Sequence, residues 1–316
     1  MDSSYIGIDI GGTNLRLALI DRDGRILQRS RCASSIEEGR DSFCNRLMGG
    51  IAEMYDAAAA VNMKVAGIGV GVPGVIDSSG LIYSSVNMRP LDGFNLTSFL
   101  ADTYGIAVTC GNDANVIAVG EHVYGAGRNL NSYVVISIGT GLGSGLILDG
   151  RLWTGVRGFA AEFGHVTVEP DGILCPCGNH GCLEQYVSAG AIVRFARELF
   201  PRERLDSLEG SLDAAMVADL ARQGDAAAMA AFSSAGKWLG IALASLVNTL
   251  NLEAVILRGG VAESLDLMLA PLQQELSQRC FSQMYEQFAI IPGLCGDDAG
   301  LLGAVALVRN FISKNV

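Results

Sequence analysis

Apolar positions dominate Tyr5–Ile10, a short β-rich run that ends beside Asp9 and is broken by Gly11–Asn14. Leu15–Ile20 reads as a second strand, "DRDG" as a tight turn and Arg25–Arg31 as a third strand. Helical spacing of apolar residues then predicts an amphipathic helix over Arg40–Val61, followed by a buried strand at Val65–Val70. A helix at Leu96–Tyr104, a strand at Ala107–Cys110 and a helix from Ala114 to Tyr124 follow. The second half begins with another strand, glycine turn and strand from Tyr133, then becomes mostly helical. Helical patterns cover Ser188–Phe200, Asp213–Arg222, Asp225–Leu250 and Glu263–Arg279, with strands at "EAVILRGG" and Phe288–Ile291. A helix over 298–316 closes the chain.

Two of these segments resemble each other. "YIGIDIGGTNLRLALIDRDGRIL" and "YVVISIGTGLGSGLILDGRL" align at one offset of 128 residues, which matches Tyr5 with Tyr133, Asp9 with Ser137, Gly11 with Gly139 and Asp21 with Asp149. Both read strand, glycine turn, strand, tight turn, strand. Strand rather than helix after the first glycines excludes a P-loop or a dinucleotide-binding glycine loop, which must open a helix. The pattern predicts an α/β protein built from two copies of one α/β unit, with helices on mixed sheets.

The chain has 316 residues, half of them hydrophobic and 17% charged, enough to bury a core without disulfides. Its forty glycines cluster in short runs, which excludes collagen-like and disordered classes. Twenty-two basic against thirty-three acidic residues give a net charge of −11, with no basic stripe, so nucleic-acid binding is not expected. The start of the chain lacks a signal-peptide pattern, and the apolar stretch Trp238–Leu246 is too short to span a membrane. A cytoplasmic protein without membrane contact is expected, with its thiols reduced.

Three strand-end glycine turns carry candidate chemistry: Gly11, Gly12, Thr13 and Asn14; Gly139, Thr140 and Gly141; and Gly259 with Gly260. Glycine lets backbone N–H groups approach an anion, and the threonine hydroxyls add donors. Asp9, at the end of the first strand, suits a Mg²⁺ ion carried by a nucleotide.

The second cluster lies in "HVTVEPDGILCPCGNHGCLE", which holds three of the eight cysteines and two of the three histidines. C-x-C with an internal proline is not a redox C-x-x-C, and a disulfide would leave one cysteine odd. Three thiolates and a histidine suit a tetrahedral structural Zn²⁺. Spacing alone leaves two candidates, with His180 inside the loop and His165 ten residues upstream of Cys175. The other cysteines, Cys32, Cys44, Cys110, Cys280 and Cys295, read as small core residues.

In order along the chain, "DIGGTN", "GVPG", "GNDAN", "IGTGLGSG", "AAEFGH" and "CPCGNHGCLEQY" resemble the motifs of the ROK-family sugar kinases, most closely their bacterial glucokinase branch. The resemblance spans essentially the whole chain. It implies the two-lobed actin/hexokinase-like (ribonuclease H-like) ATPase fold, with a cleft between duplicated α/β lobes. One lobe would be 1–125, with the closing helix returning to it, and the other 126–297, carrying the zinc loop.

The resemblance further implies ATP-dependent phosphorylation of a hexose, glucose first, with Asp113 as the base that accepts the proton of the 6-hydroxyl. Asn87, Asn112, Glu162, His165 and Glu184 would contact the sugar. Asp9 and the three glycine turns would hold ATP with Mg²⁺. His165, Cys175, Cys177 and Cys182 would bind one structural Zn²⁺. The family often has a tryptophan after the first of these asparagines, where this chain has Phe94, which bears on the choice of sugar.

Kinases for mannose, fructose, allose or an N-acetylhexosamine share these residues, and a sugar sensor without catalysis is a further alternative. The family also contains repressors with a helix-turn-helix ahead of "DIGGT"; only four residues precede Tyr5 here, which favours the kinase. A homo-oligomer, a dimer by family, is expected.

Overall fold

A computed structural model describes residues 3–85, 88–207 and 212–315. The first strands are β1 (Ser3–Ile10), β2 (Asn14–Asp21) and β3 (Ile26–Ala33), followed by helix α1 (Arg40–Ala60) and β4 (Lys64–Val72). Short strands β5 (Val75–Ile76), β6 (Leu81–Ser84) and β7 (Phe94–Asn95) form a small sheet ahead of α2 (Leu96–Tyr104). β8 (Ala107–Asn112) runs directly into α3 (Asp113–Tyr124).

The second set comprises β9 (Tyr133–Ile138), β10 (Leu142–Leu148) and β11 (Arg151–Trp153), then helices α4 (Glu184–Val187), α5 (Ala189–Leu199), α6 (Arg202–Ser207), α7 (Ala214–Arg222) and α8 (Ala226–Leu250). β12 (Ala254–Arg258), α9 (Leu265–Arg279), α10 (Ser282–Tyr285), β13 (Ala289–Pro292) and α11 (Ala299–Asn315) complete the chain.

The two five-stranded sheets have the same order, β3-β2-β1-β4-β8 and β11-β10-β9-β12-β13. In each, an antiparallel hairpin leads into three parallel strands. The strand–turn–strand repeat seen in the sequence therefore corresponds to the same hairpin at the same place in both sheets.

The chain divides into two compact units, one of 1–131, 145–161 and 293–316, the other of 132–144 and 162–292. In the first unit, α1 buries Phe43, Leu47, Ile51, Met54 and Ala58, one helical stripe, against β2 and β3. α11 covers β1, β4 and β8 and runs against α3. That contact is close because Gly303 faces the Val116 carbonyl and Gly120 faces the Ala299 carbonyl; a Cβ at either would collide with backbone. α3 is thereby seated directly on α11, which fixes where its first residue, Asp113, emerges.

In the second unit α8 packs against α5, α7 and α9. At 25 residues, with mean hydropathy 1.3 in its most apolar window, it is long and apolar enough to cross a membrane by length and composition. This corrects the shorter apolar stretch read from the sequence. Ala-rich turns extend the helix on the N-terminal side of that stretch, and more than half of its apolar part is buried among its neighbours, as in a core helix.

Candidate functional site

The parallel strands place the predicted residues. In the first unit the register Asp9↔Gly71 and Gly71↔Gly111 brings the carboxyl ends of β1, β4 and β8 to one edge. Asp9 and Asp113 therefore stand at the same edge of one sheet, two strand spacings apart, about 10 Å in the plane of the sheet. Carboxyl ends of parallel strands are where open α/β sheets bind ligands.

Asn112 is the N-cap of α3: its Oδ1 accepts from the Asn115 amide at 3.1 Å and its Nδ2 donates to the Gly74 carbonyl at 3.1 Å. Capping thus falls to Asn112 and not to Asp113, which is half-buried and accepts from the Ala114 amide at 2.9 Å. Much of the hydrogen-bonding capacity of Asn112 is already committed to holding this junction.

Asp9 is 8% exposed and paired with Arg16, which also donates to the Asp297 carbonyl at 3.1 Å. Arg16 is a site residue the sequence reading overlooks, although its signal was present: a hairpin closing at Gly11 and Asn14 sets Asp9 opposite Arg16. Ser34 shapes the turn from outside, its hydroxyl donating to the Gly12 carbonyl at 2.6 Å and its amide to the Thr13 carbonyl at 2.9 Å. Thr13 is exposed.

Asn87 lies outside the described residues. Phe94 stacks with the Arg40 guanidinium, 5.0 Å from its ring centroid, and with Phe99 at 5.4 Å.

In the second unit Ser137 pairs with Arg258, so the turns that follow β9 and β12 share one edge. Gly139, Thr140 and Gly260 line a cavity of 530 Å³ there, a size ordinary for small-ligand pockets. Space is open where a Cβ of Gly139 or Gly260 would stand, so both glycines let a ligand come close, although the Gly139 amide itself donates to the Gly141 carbonyl at 2.9 Å. Gly259 has φ +87° and would drive a Cβ into the Ile138 carbonyl, so only glycine suits it. The far walls come from α7 and the turn just before α9, and Arg222 of α7 is held by Asp266 at 3.0 Å and Ser264 at 3.3 Å. Lys237 is exposed beside Trp238, 5.9 Å from the ring centroid, and does not line this cavity.

Glu162 and Glu184 flank the cysteine loop. Glu184 is half-buried, with Oε2 accepting from the Leu142 amide at 2.9 Å. Glu162 remains solvent-accessible, yet the surrounding protein pushes its carboxyl above the ordinary 4.5; nearby His165 opposes the shift and the charge of Glu184 adds to it.

His165, Cys175, Cys177 and Cys182 come together, their four ligand atoms all within 4.8 Å of one another. Cys177 and Cys182 sulfurs are 3.6 Å apart, and His165 Nδ1 is 3.7 Å from Cys175 Sγ. Sulfurs bound tetrahedrally at 2.3 Å would be about 3.8 Å apart, so the set fits Zn²⁺. Amides from Asn179 and Gln185 reach Cys182 and Cys175 sulfurs at 3.5 and 3.7 Å, the kind of donor that supports a thiolate ligand.

Burial pushes the Cys182 thiol to about 12, with Cys177 and Cys175 adding to the shift, whereas the Asn179 backbone amide draws Cys177 down. A divalent cation would deprotonate all three. His180 is exposed and not among the four. Of the five scattered cysteines only Cys44 is buried; Cys32, Cys110, Cys280 and Cys295 are half-buried.

Known proteins resemble this chain along nearly its whole length. The ROK family model matches residues 5–311. The glucokinase of Thermotoga maritima is 34% identical, the match covering 97% of this chain and 98% of that one. The xylose repressor of Bacillus subtilis is 33% identical over 96% of this chain and 76% of its own length. A solved ROK-family glucokinase from Streptomyces griseus, in complex with glucose and AMPPNP, superimposes with a TM-score of 0.81 at 31% identity, covering 97% of this chain and 99% of that one. With the family model spanning nearly every residue and relatives at 34% and 31% identity covered almost end to end, the chain belongs to the ROK family.

Proposed function

We propose that the protein transfers the γ-phosphoryl group of ATP to the 6-hydroxyl of a hexose, with glucose as the preferred acceptor. The observation that carries this reading is the cavity at the carboxyl edge of the second sheet, bordered by Gly139 and Gly260, which leave the backbone uncovered, and by Thr140. Backbone left uncovered at strand ends suits a polyphosphate, and the 31% identical glucokinase was solved in complex with glucose and AMPPNP.

Phosphoryl transfer asks the protein chiefly to position its substrates and to balance charge. Asp113 accepts the 6-hydroxyl proton as that oxygen attacks the γ-phosphorus, and ADP leaves. Glu162 and Oε1 of Glu184 accept other sugar hydroxyls, Oε2 being held by Leu142. His165 offers Nε2 to the sugar, since Nδ1 lies beside Cys175. Asn87 and Asn112 complete the proposed sugar contacts. Mg²⁺ accompanies ATP, and Asp9 Oδ1 is the carboxylate oxygen left for it beside the Arg16 pair. A Zn²⁺ held by His165, Cys175, Cys177 and Cys182 would have all four positions filled and would serve as a cross-link between the segments bearing Glu162 and Glu184. The protein acts in the cytoplasm as a homodimer in this reading, the first lobe being 1–125 with the closing helix and the second 126–297.

Ionised Glu162 is the hydroxyl acceptor, and its carboxyl is held above 4.5. Glucose affinity should therefore fall as pH is lowered through a value above 4.5, where Glu162 takes up its proton. Stability runs the other way: between 4.5 and the raised value the folded state binds the proton more tightly, so stability rises on acidification through that window. Glu162→Gln should remove the pH dependence of glucose binding and weaken it roughly ten- to a hundredfold. A titration in which Glu162→Gln keeps the parent's pH profile would discount Glu162.

The likeness to a sugar-responsive repressor supports one other reading, a sensor that binds without phosphorylating. ADP release measured over glucose, mannose, fructose, allose and N-acetylhexosamines, with ATP and other phosphate donors, separates the readings. A rate that does not depend on any sugar would sink the kinase.

A further inference from the structure

We infer that Glu184 is a positioning residue for the nucleotide, fixing the Gly139–Leu142 turn in addition to contacting the sugar. The inference rests on the kinase reading given above. The Leu142 amide donates to Glu184 Oε2 at 2.9 Å. A Cβ on Gly141 would stand 2.6 Å from that same oxygen, so the glycine is what lets the carboxylate lie against the turn. The turn is also closed on itself by the Gly139 amide donating to the Gly141 carbonyl at 2.9 Å, and the Ala189 amide at the start of α5 donates to the Gly139 carbonyl at 2.9 Å. Of these ties, only that of Glu184 comes from a side chain, so it alone can be removed by substitution without altering the backbone.

The consequence concerns the edge of the 530 Å³ cavity, where Gly139 and Thr140 sit. With the Gly139 and Leu142 amides committed within the turn, Thr140 is the residue that presents donors to a phosphate, and these must hold a fixed direction before the ligand arrives, or binding bears the cost of ordering them. Glu184 supplies that order from the sugar side. A glutamate acting on sugar alone would need no bond to this turn.

Three variants separate the two roles, with ADP as the probe and no sugar present. Glu184→Ala removes the tie. Gly141→Ala keeps the glutamate but pushes its carboxylate off the turn, because the clash is with the far end of a flexible side chain. Glu184→Gln keeps an oxygen that can accept from Leu142 while losing the charge. Titration calorimetry should show Kd for ADP raised about tenfold in Glu184→Ala and Gly141→Ala, and within about twofold of the parent in Glu184→Gln.

A Kd equal to the parent's in both of the first two variants would overturn the inference, as would Glu184→Gln as weak as Glu184→Ala. Failure of the parent protein itself to bind ADP would instead overturn the kinase reading, and this inference with it.

Discussion

Asp113→Asn should lower the rate of glucose phosphorylation by about 10²–10⁴-fold while leaving the melting temperature nearly unchanged. The asparagine has the shape of aspartate and an oxygen that can still accept from the Ala114 amide, the bond seen at 2.9 Å. It cannot accept the proton of a hydroxyl. The start of α3 should survive, because the cap is Asn112, not Asp113. Its seat against α11 through Gly120 and Gly303 is likewise untouched. The loss should appear in kcat, with KM for glucose changing less. A folded Asp113→Asn protein with the parent's kcat would remove Asp113 from the chemistry.

Cys182→Ser should abolish metal binding and lower the melting temperature by on the order of 10 °C. Cys182 is fully buried, and its sulfur lies 3.6 Å from that of Cys177. Without a cation, three thiols and an imidazole are gathered in a loop with little apolar core of its own: Leu174 is 60% exposed and Cys177 is exposed. Metal analysis of the parent protein should return one zinc per chain, and of the variant close to none. His165→Ala should behave like Cys182→Ser, and His180→Ala should keep its zinc. The reverse pattern for the two histidines would overturn the ligand set. Because the loop joins Glu162 to Glu184, glucose affinity should fall along with the metal.

Much of this was legible before any coordinates. Apolar periodicity marks α1, α2 and α3 to within a residue or two, since each is an amphipathic or capped helix bounded by glycine. The Tyr5 and Tyr133 segments already showed one hairpin used twice, because a strand–glycine–strand pattern leaves the backbone few choices. Other features left no such trace. β5 and β7 have two residues each, too few for alternation to register. α8 by contrast agrees with the helical pattern over Asp225–Leu250 to within a residue.

The site divides in the same way. Residue type and motif order pointed to Asp113, the cysteines and the glycine turns. They did not reveal that Asn112 spends its amide on the α3 cap and on Gly74, or that Glu184 bonds the Leu142 amide. The bonds to Gly74 and to Leu142 join segments far apart in the chain and are set by tertiary folding, whereas the cap is local. The Asp9–Arg16 pair is the intermediate case, since hairpin register alone predicts it.

The central claim is that this ROK-family protein phosphorylates glucose rather than only binding it. Phosphorus NMR of the purified protein with glucose, ATP and Mg²⁺ tests this directly. The account predicts that glucose 6-phosphate and ADP appear in equal amounts and only when glucose is present. Glucose bound with ATP left intact would contradict it.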